Sequence, residues 1–97
     1  MEVKVQAIKF DAKPSLNAFI EKKMAKLERF YDGIATIEVT LKVVKPETSD
    51  NKEAEVKLTA PHLELFASKI SDTFEQSVDE CATALERQLI KAKEKKQ

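Results

Sequence analysis

One cysteine and one histidine are the residues of this chain that could act as a nucleophile and its base. Cys81 and His62 each occur once, and thiol chemistry needs such a pair within hydrogen-bonding reach. Cys81 falls on an apolar stripe at helical spacing, where a free cysteine usually serves as a small hydrophobic residue. His62 follows Pro61 in a predicted turn, where we expect it to be exposed. We therefore expect no catalytic residues, and unchanged activity of Cys81→Ala and His62→Ala variants would remove both candidates.

The carboxylates form two groups, and neither predicts acid–base or metal chemistry. One group lies in and beside a predicted mobile polar loop and comprises Glu47, Asp50, Glu53 and Glu55. These carboxylates are expected to be solvated, because nothing in the sequence would raise their pKa by burial. The other group lies in the first turns of a predicted helix, where negative charge complements the helix dipole, and comprises Asp72, Glu75, Asp79 and Glu80. With too few zinc ligands and no calcium-loop spacing, the sequence predicts no metal and no cofactor.

The basic side chains follow a more informative pattern. A first stripe, at the spacing that places residues on one exposed face of a helix, consists of Lys22, Lys26 and Arg29. A second stripe near the C-terminus consists of Arg87, Lys91 and Lys95, flanked by Lys93 and Lys96. A solvated helix face explains either stripe alone. If two helices lie side by side on a sheet, however, both stripes face the same side about a helix diameter apart, roughly 10 Å, and could bridge phosphates of RNA.

The elements that must position these stripes begin with a strand and a helix. The alternation of Val3, Val5 and Ala7 with polar residues predicts a strand over residues 2 to 10. Apolar residues at helical spacing then predict a helix over residues 14 to 31, which starts beside Pro14 and ends at Asp32-Gly33.

Three further strands and a second helix complete the predicted order β-α-β-β-β-α. Alternating apolar residues predict a strand over 37 to 43 that is closed by Pro46, and two more strands on either side of Ala60-Pro61-His62. Asp72 and Glu75 have the spacing of a capping box at the start of a helix over residues 72 to 95. Such cleanly alternating strands predict an α+β fold with an antiparallel four-stranded sheet, both helices packed side by side on one face and the other face open to water.

Length and composition limit the function classes. A chain of 97 residues has room for one core, so we expect a single domain over residues 1 to 97. Basic and acidic residues cancel, so overall charge indicates no partner and only the distribution of charge is informative. Without a long apolar run, a glycine-rich loop or a pair of cysteines, the sequence predicts a cytoplasmic protein that neither enters a membrane nor binds a small-molecule substrate.

At two places the chain resembles the bacterial ribosome hibernation-promoting factors, in their short form. The first-helix signature of that family is similar to Phe19-Ile20-Glu21-Lys22-Lys23-Met24-Ala25-Lys26-Leu27-Glu28-Arg29-Phe30-Tyr31-Asp32. The basic C-terminal helix of the family resembles Leu85-Glu86-Arg87-Gln88-Leu89-Ile90-Lys91-Ala92-Lys93-Glu94-Lys95. The resemblance spans nearly the whole chain, and the two signatures occur at the separation and in the element order of the family.

The resemblance implies a non-enzymatic inhibitor of translation, active in stationary phase, that binds ribosomal RNA in the decoding channel of the small ribosomal subunit. There it would exclude messenger and transfer RNA, and ribosome dimers are a further possible assembly. Basic positions of the family are matched by Lys23, Lys26, Arg87, Lys91, Lys93 and Lys95. Lys22 and Arg29 are added as RNA-binding residues by their place on the first stripe. Lys23 also falls near the apolar stripe, from which its side chain would have to extend toward solvent.

The main alternative is a protein-interaction module of the same fold. It would dock through the open sheet face, whose predicted mixed residues are Glu38, Thr40, Lys42, Glu55 and Lys57. Neutralising the helix stripes should abolish function if the partner is RNA, whereas changes on the sheet face should abolish function if the chain is a docking module. The RNA interpretation also predicts that affinity falls steeply with salt.

Overall fold

The computed structural model describes residues 1–45 and 49–95. In chain order it contains β1 (Glu2–Ala7), α1 (Pro14–Ala25), a 3-10 turn (Lys26–Arg29), β2 (Thr36–Val43), β3 (Lys52–Ala60), β4 (Leu63–Ser71) and α2 (Phe74–Lys95). The predicted α+β class and the β-α-β-β-β-α order are confirmed. Three residues named in the sequence predictions lie outside the described residues: Pro46, Glu47 and Lys96.

The four strands form one sheet in the order β1-β2-β3-β4, and the sheet is mixed. β2, β3 and β4 pair antiparallel, as predicted. The antiparallel prediction is wrong for β1 and β2, which run parallel with Val5 opposite Val39. The physical reason is the helix between them, because parallel neighbours need a crossover connection and α1 supplies it.

Both helices pack on one face of this sheet, α1 against β1 and α2 against β3 and β4. Strand alternation produces this arrangement, since Ile37, Val39 and Leu41 are buried beneath the helices while Glu38 on the other face is exposed. The helices meet the sheet with the fully buried side chains Ile20, Met24, Val78, Leu85 and Leu89. Burying an aliphatic side chain of this kind contributes about 1.5–3 kcal/mol, so the shared core fixes both helices on the same side.

Small polar side chains allow α2 to approach β3 closely. The Ser77 hydroxyl donates to the carbonyl oxygen of Lys52 at 2.6 Å, and the Cys81 thiol donates to that of Ala54 at 3.4 Å. Because both side chains are buried and both have partners, α2 contacts the sheet without an unsatisfied polar group on this face.

Two elements end earlier than the sequence predicts. β1 stops at Ala7 because the backbone turns at Lys9, whose φ is 64°. Phe10 therefore leaves the strand and stacks on Phe74, with the ring centroids 5.1 Å apart. The first helix is α-helical only to Ala25 and continues as a 3-10 turn. Gly33, with φ 83°, then makes the left-handed turn that the Asp32-Gly33 stop signal predicts.

The second helix starts two residues later than predicted, with a different cap. Thr73 is the capping residue, since its Oγ1 accepts a hydrogen bond from the backbone N–H of Gln76 at 3.0 Å. The predicted capping role of Asp72 is therefore wrong. Asp72 accepts a hydrogen bond from the backbone N–H of Asp50 at 3.1 Å instead, which ties the start of α2 to the segment before β3. Thr73 and Gln76 have the same favourable cap spacing, displaced by one residue.

We predict that the contact of α2 with the sheet dominates stability. Leu85 is fully buried on the side of α2 that packs on the sheet. Leu85→Ala should therefore lower the free energy of unfolding by about 2–5 kcal/mol in urea denaturation. Ile90, on the same helix, is 41% exposed, so Ile90→Ala should cost less than about 1 kcal/mol. Equal losses in the two variants would show that α2 does not pack on the sheet through Leu85.

Candidate nucleic-acid interface

The first basic stripe lies on the outer surface of α1 and the 3-10 turn. Lys22, Lys26 and Arg29 are all exposed. The change from α-helix to 3-10 turn at Lys26 rotates the later residues of the stripe, because a 3-10 turn has three residues per turn. Lys26 and Arg29 consequently line a groove between the first helix and α2. The stripe is thus exposed as predicted, but its C-terminal part points toward the second helix.

Lys23 has a different environment from the rest of the predicted contact residues. Its Nζ lies 2.8 Å from an oxygen of Asp79 on α2 and 5.6 Å from the centre of the Phe19 ring. Its side chain is 30% exposed. This ion pair connects α1 with α2, so in the free protein Lys23 is held by a carboxylate.

The cations of α2 occupy two sides of that helix. Lys93 lines a depression with Arg29, Phe30, Ile90 and Glu94, so Arg29 and Lys93 are the predicted contacts that meet between the helices. Arg87 lines another depression, on the β4 side of α2. Lys91 and Lys95 are exposed as well. The structure therefore brings Arg29 of the first stripe and Lys93, which flanks the second, to one depression, and it directs Arg87 away from α1.

The groove between the helices also contains acidic side chains. Asp79 and Glu86 line it beside Lys26 and Arg29, and Glu94 lies near Lys93. Asp79 is paired with Lys23, so its negative charge is already neutralised and repels an anion in the groove less. The groove is consequently lined by both positive and negative side chains.

Ion pairing distinguishes the two faces of the protein. Of the predicted RNA-contact residues, Lys23 is the one that has a carboxylate within 4.0 Å among residues 1–45 and 49–95. No carboxylate of the described chain lies that close to Lys22, Lys26, Arg29, Arg87, Lys91, Lys93 or Lys95. Unpaired cations can bind phosphate without first breaking an ion pair.

On the open sheet face the lysines are already paired. Lys42 contacts both Glu53 and Glu55 at 3.2 Å, and its hydrogen bonds to these carboxylates, that to Glu55 first, raise its pKa. Lys57 lies 3.8 Å from Glu64, and Lys4 lies 3.9 Å from Glu2. The face carries a broad depression lined by Lys4, Gln6, Glu38, Thr40, Glu55, Lys57 and Phe66, among others.

The carboxylates beside the predicted loop are more ordered than the sequence suggests. Glu53 and Glu55 belong to β3, and the side chain of Glu53 is only 15% exposed. The prediction that they are simply solvated is therefore wrong, because Lys42 on the neighbouring strand holds both. Asp50 is exposed, and the adjacent Asp72 raises the pKa of its carboxyl through a hydrogen bond and its negative charge.

Cys81 and His62 do not form a nucleophile and base pair. Cys81 is fully buried and its thiol donates to a backbone carbonyl. Burial raises the pKa of the Cys81 thiol to about 11, which keeps it protonated. His62 is exposed in the turn between β3 and β4, with φ 62°. Within the described parts of the chain, no three His, Cys, Asp or Glu side chains gather as metal ligands.

Lys69 is a further basic residue on the helix side of the sheet, and the sequence did not single it out. It lies opposite the buried Ala54 in the antiparallel register of β3 and β4, and residues directly opposite share a face of the sheet. Its side chain therefore points to the helix side, where it lines the same depression as Arg87. The alternation of Leu65, Ala67 and Lys69 contained this signal.

The chain is similar in sequence to several known proteins. Residues 3–97 match the family described as Sigma 54 modulation protein / S30EA ribosomal protein. The ribosome hibernation promoting factor of Azotobacter vinelandii is 32% identical over 100 residues, which cover 98% of this chain and 85% of that protein. The ribosome hibernation promoting factor of Pseudomonas putida is 29% identical, and the alignment covers 100% of this chain and 91% of that protein.

Two solved structures share the fold. The N-terminal domain of Protein Y from Thermus thermophilus superposes with a TM-score of 0.82 at 21% identity, covering 94% of this chain and 98% of that one. A ribosomal subunit interface protein from Coxiella burnetii superposes with a TM-score of 0.81 at 27% identity, covering 96% of this chain and 98% of that one. No helix in the described parts of the chain combines the length and the apolar character needed to span a membrane.

We predict a measurable coupling between Lys23 and Asp79. In a double-mutant cycle of Lys23→Met and Asp79→Asn, unfolding in urea should give a coupling free energy of about 0.2–1 kcal/mol, the range for partly exposed pairs. The coupling should shrink in roughly 1 M salt, where charges are screened within about 3 Å. A coupling of zero at low salt would contradict the view that this pair joins the helices.

The buried thiol gives a pH prediction. With a folded pKa of about 11 against an ordinary value of 9.0, Cys81 ionises first in the unfolded chain. The free energy of unfolding should therefore be unaffected by this thiol below pH 9 and should fall as pH rises from 9 toward 11. Cys81→Ala should lack this component of the decline. Rapid labelling of native Cys81 by a thiol reagent at pH 8 would contradict its assigned burial.

Proposed function

The chain belongs to the Sigma 54 modulation protein / S30EA ribosomal protein family, and we propose that it is a ribosome hibernation factor that binds small-subunit ribosomal RNA through its helix face. In the decoding channel of the small subunit it would block messenger and transfer RNA, and so inhibit translation by occupancy. The observation behind the proposal is a set of cations on the two helices that have no carboxylate within 4.0 Å among residues 1–45 and 49–95, opposite a sheet face where Lys4, Lys42 and Lys57 are paired.

The relatives support the ribosome as the partner. Two curated relatives that align over nearly the whole chain are named ribosome hibernation promoting factors. The Coxiella burnetii protein of the same fold is described as a ribosomal subunit interface protein. This is a non-enzymatic ribosome-binding family, and a buried, protonated Cys81 accords with binding rather than catalysis. A ribosome-bound factor of this kind would act in the cytoplasm.

The proposed mechanism is electrostatic and geometric. Each phosphate neutralised by a lysine or arginine releases condensed counterions, which makes the binding free energy strongly dependent on salt. Helices that share one core with the sheet fix the relative positions of the backbone segments that carry the cations, so the order to be gained on binding is that of the exposed side chains. The inhibitor then works by filling space, and no bond is made or broken.

Individual contacts differ in what binding requires of them. The proposed contacts without an ion pair among the described residues are Lys22, Lys26, Arg29, Arg87, Lys91, Lys93 and Lys95. Lys23 stays a proposed contact, but it must exchange Asp79 for a phosphate or bind both. We therefore expect Lys23 to contribute less to affinity than Lys26. Assembly of ribosomes into dimers is a further proposed outcome of binding.

Docking of a protein through the open sheet face is the competing function. Phe66, 56% exposed on β4, is the observation that favours it, because an exposed aromatic side chain is a frequent anchor of protein interfaces. Against it, the charged groups around Phe66 already pair within the sheet: Lys57 with Glu64, and Lys42 with Glu55.

Matched variants test the proposal. The purified protein should pellet with isolated small ribosomal subunits at low salt, and its log affinity should fall linearly with log salt concentration. Changing Arg87, Lys91 and Lys95 to alanine should reduce that slope by about 2–3, because each phosphate contact contributes about 0.7–0.9.

The control removes the same positive charge from the opposite face. A variant with Lys4, Lys42 and Lys57 changed to alanine should keep the wild-type slope, since these lysines pair within the sheet. Loss of binding in this control, with binding retained in the helix variant, would favour docking through the sheet face. Failure of the native protein to pellet at any salt concentration would refute the proposed function.

A further inference from the structure

A depression between β4 and α2 carries two cations outside the groove between the helices. It measures about 210 Å³ and is lined by Lys69, Glu80, Thr83, Ala84 and Arg87. Its lining includes no residue of α1 or the 3-10 turn. The depression therefore opens on the β4 side of α2, next to the edge of the sheet.

The backbone around the depression is held by hydrogen bonds between α2 and the sheet. The Gln88 side chain, next to Arg87, donates from Nε2 to the carbonyl oxygen of Phe66 at 3.3 Å. The Cys81 thiol donates to the carbonyl oxygen of Ala54, the residue opposite Lys69 in the sheet. Lys69 and Arg87 thus extend from two regular elements whose relative position is fixed, and the small Ala84 leaves space beside them.

The charges of the depression favour an anion at its Lys69 and Arg87 end. In the described part of the chain, neither Lys69 nor Arg87 has a carboxylate within 4.0 Å. Glu80 opposes an anion, but its Oε2 accepts a hydrogen bond from Gln76 Nε2 at 2.8 Å, one turn nearer the start of α2. The Thr83 hydroxyl donates its hydrogen to the backbone carbonyl of Asp79 at 3.1 Å, so it has none left to donate to a ligand.

We propose that Lys69 and Arg87 together hold one phosphate of an RNA backbone at this edge of the sheet. This rests on the proposed function and extends it, because the binding surface then reaches from the helices onto β4. A guanidinium can donate two parallel hydrogen bonds to one phosphate, while the lysine adds a mobile point charge. Arg87 contacts a part of the RNA other than that reached by Arg29 and Lys93.

The test compares Lys69→Gln with Lys57→Gln by co-sedimentation with small ribosomal subunits over a salt series. Lys57 lies on the adjacent strand, but it points from the open face and pairs with Glu64. Lys69→Gln should weaken binding about three- to tenfold and lower the salt slope by about 0.7–0.9, the effect of one phosphate contact. Lys57→Gln should match the wild type.

Three further variants examine the phosphate site: Arg87→Gln, the Lys69→Gln, Arg87→Gln double variant, and Glu80→Gln. If Lys69 and Arg87 hold the same group, the loss in the Lys69→Gln, Arg87→Gln double variant should be smaller than the product of the single losses. Glu80→Gln should tighten binding, because it removes the carboxylate that repels the phosphate. Equal thermal unfolding midpoints of all variants would show that the fold is unchanged, as expected for exposed side chains.

The outcomes separate this inference from the proposed function. If the wild type binds and Lys69→Gln binds equally well, the phosphate contact at β4 is refuted and the helix-face proposal stands. Multiplicative losses of Lys69→Gln and Arg87→Gln would refute the sharing of one phosphate. If the wild type itself does not bind subunits, the proposed function fails, and the contact at β4 fails with it.

Discussion

The contact of α2 with the sheet is the constraint on which the rest of the structure depends. Ser77 and Cys81 are small enough to let the helix approach β3, and each hydrogen-bonds a carbonyl of that strand. Val78, Leu85 and Leu89 are fully buried on the same side of the helix. Because this side of α2 packs on the sheet and Ala82 is buried beside the first helix, the basic residues of α2 occupy the surface that stays exposed.

The distribution of ion pairs then gives the two faces different properties. On the sheet, cross-strand neighbours place Lys42 between Glu53 and Glu55, which neutralise it. On the helices, cations follow one another at helical spacing. Among the described residues, Lys23 is the one predicted RNA contact that is paired with a carboxylate. A protein with no net charge can therefore present a surface for an anionic partner. The net charge of the chain does not indicate which face could bind an anion, whereas the positions of the ion pairs do.

The sequence predicted the element order and the exposed stripes because both depend on periodicity. It did not predict the parallel pairing of β1 with β2, which depends on where the chain returns after α1. The predicted first strand extends too far, to residue 10, because Phe10 leaves the strand and stacks on Phe74. Thr73 displaced Asp72 as the cap, because Asp72 is used by the backbone of Asp50, a contact between residues far apart in sequence.

The candidate site was predicted in part for the same reason. Helical spacing places residues on one helix, so the exposure of Lys22, Lys26 and Arg29 could be predicted. Contacts between elements decide the rest: Asp79 on α2 holds Lys23 on α1, and Lys69 of β4 lines the same depression as Arg87 of α2. Lys69 could have been found by extending the alternation of β4, but its neighbour on α2 depends on packing.

Competition for the small ribosomal subunit is the sharpest test of inhibition by occupancy. Labelled messenger RNA and initiator transfer RNA would be bound to small subunits and titrated with the protein at low salt, with the Arg87, Lys91 and Lys95 to alanine variant in parallel. Inhibition by occupancy predicts mutual exclusion: the protein releases both RNAs, its apparent Kd rises linearly with their concentration, and the variant releases them only at higher concentration. A stable complex in which protein, messenger RNA and transfer RNA occupy the same subunit would contradict inhibition by occupancy.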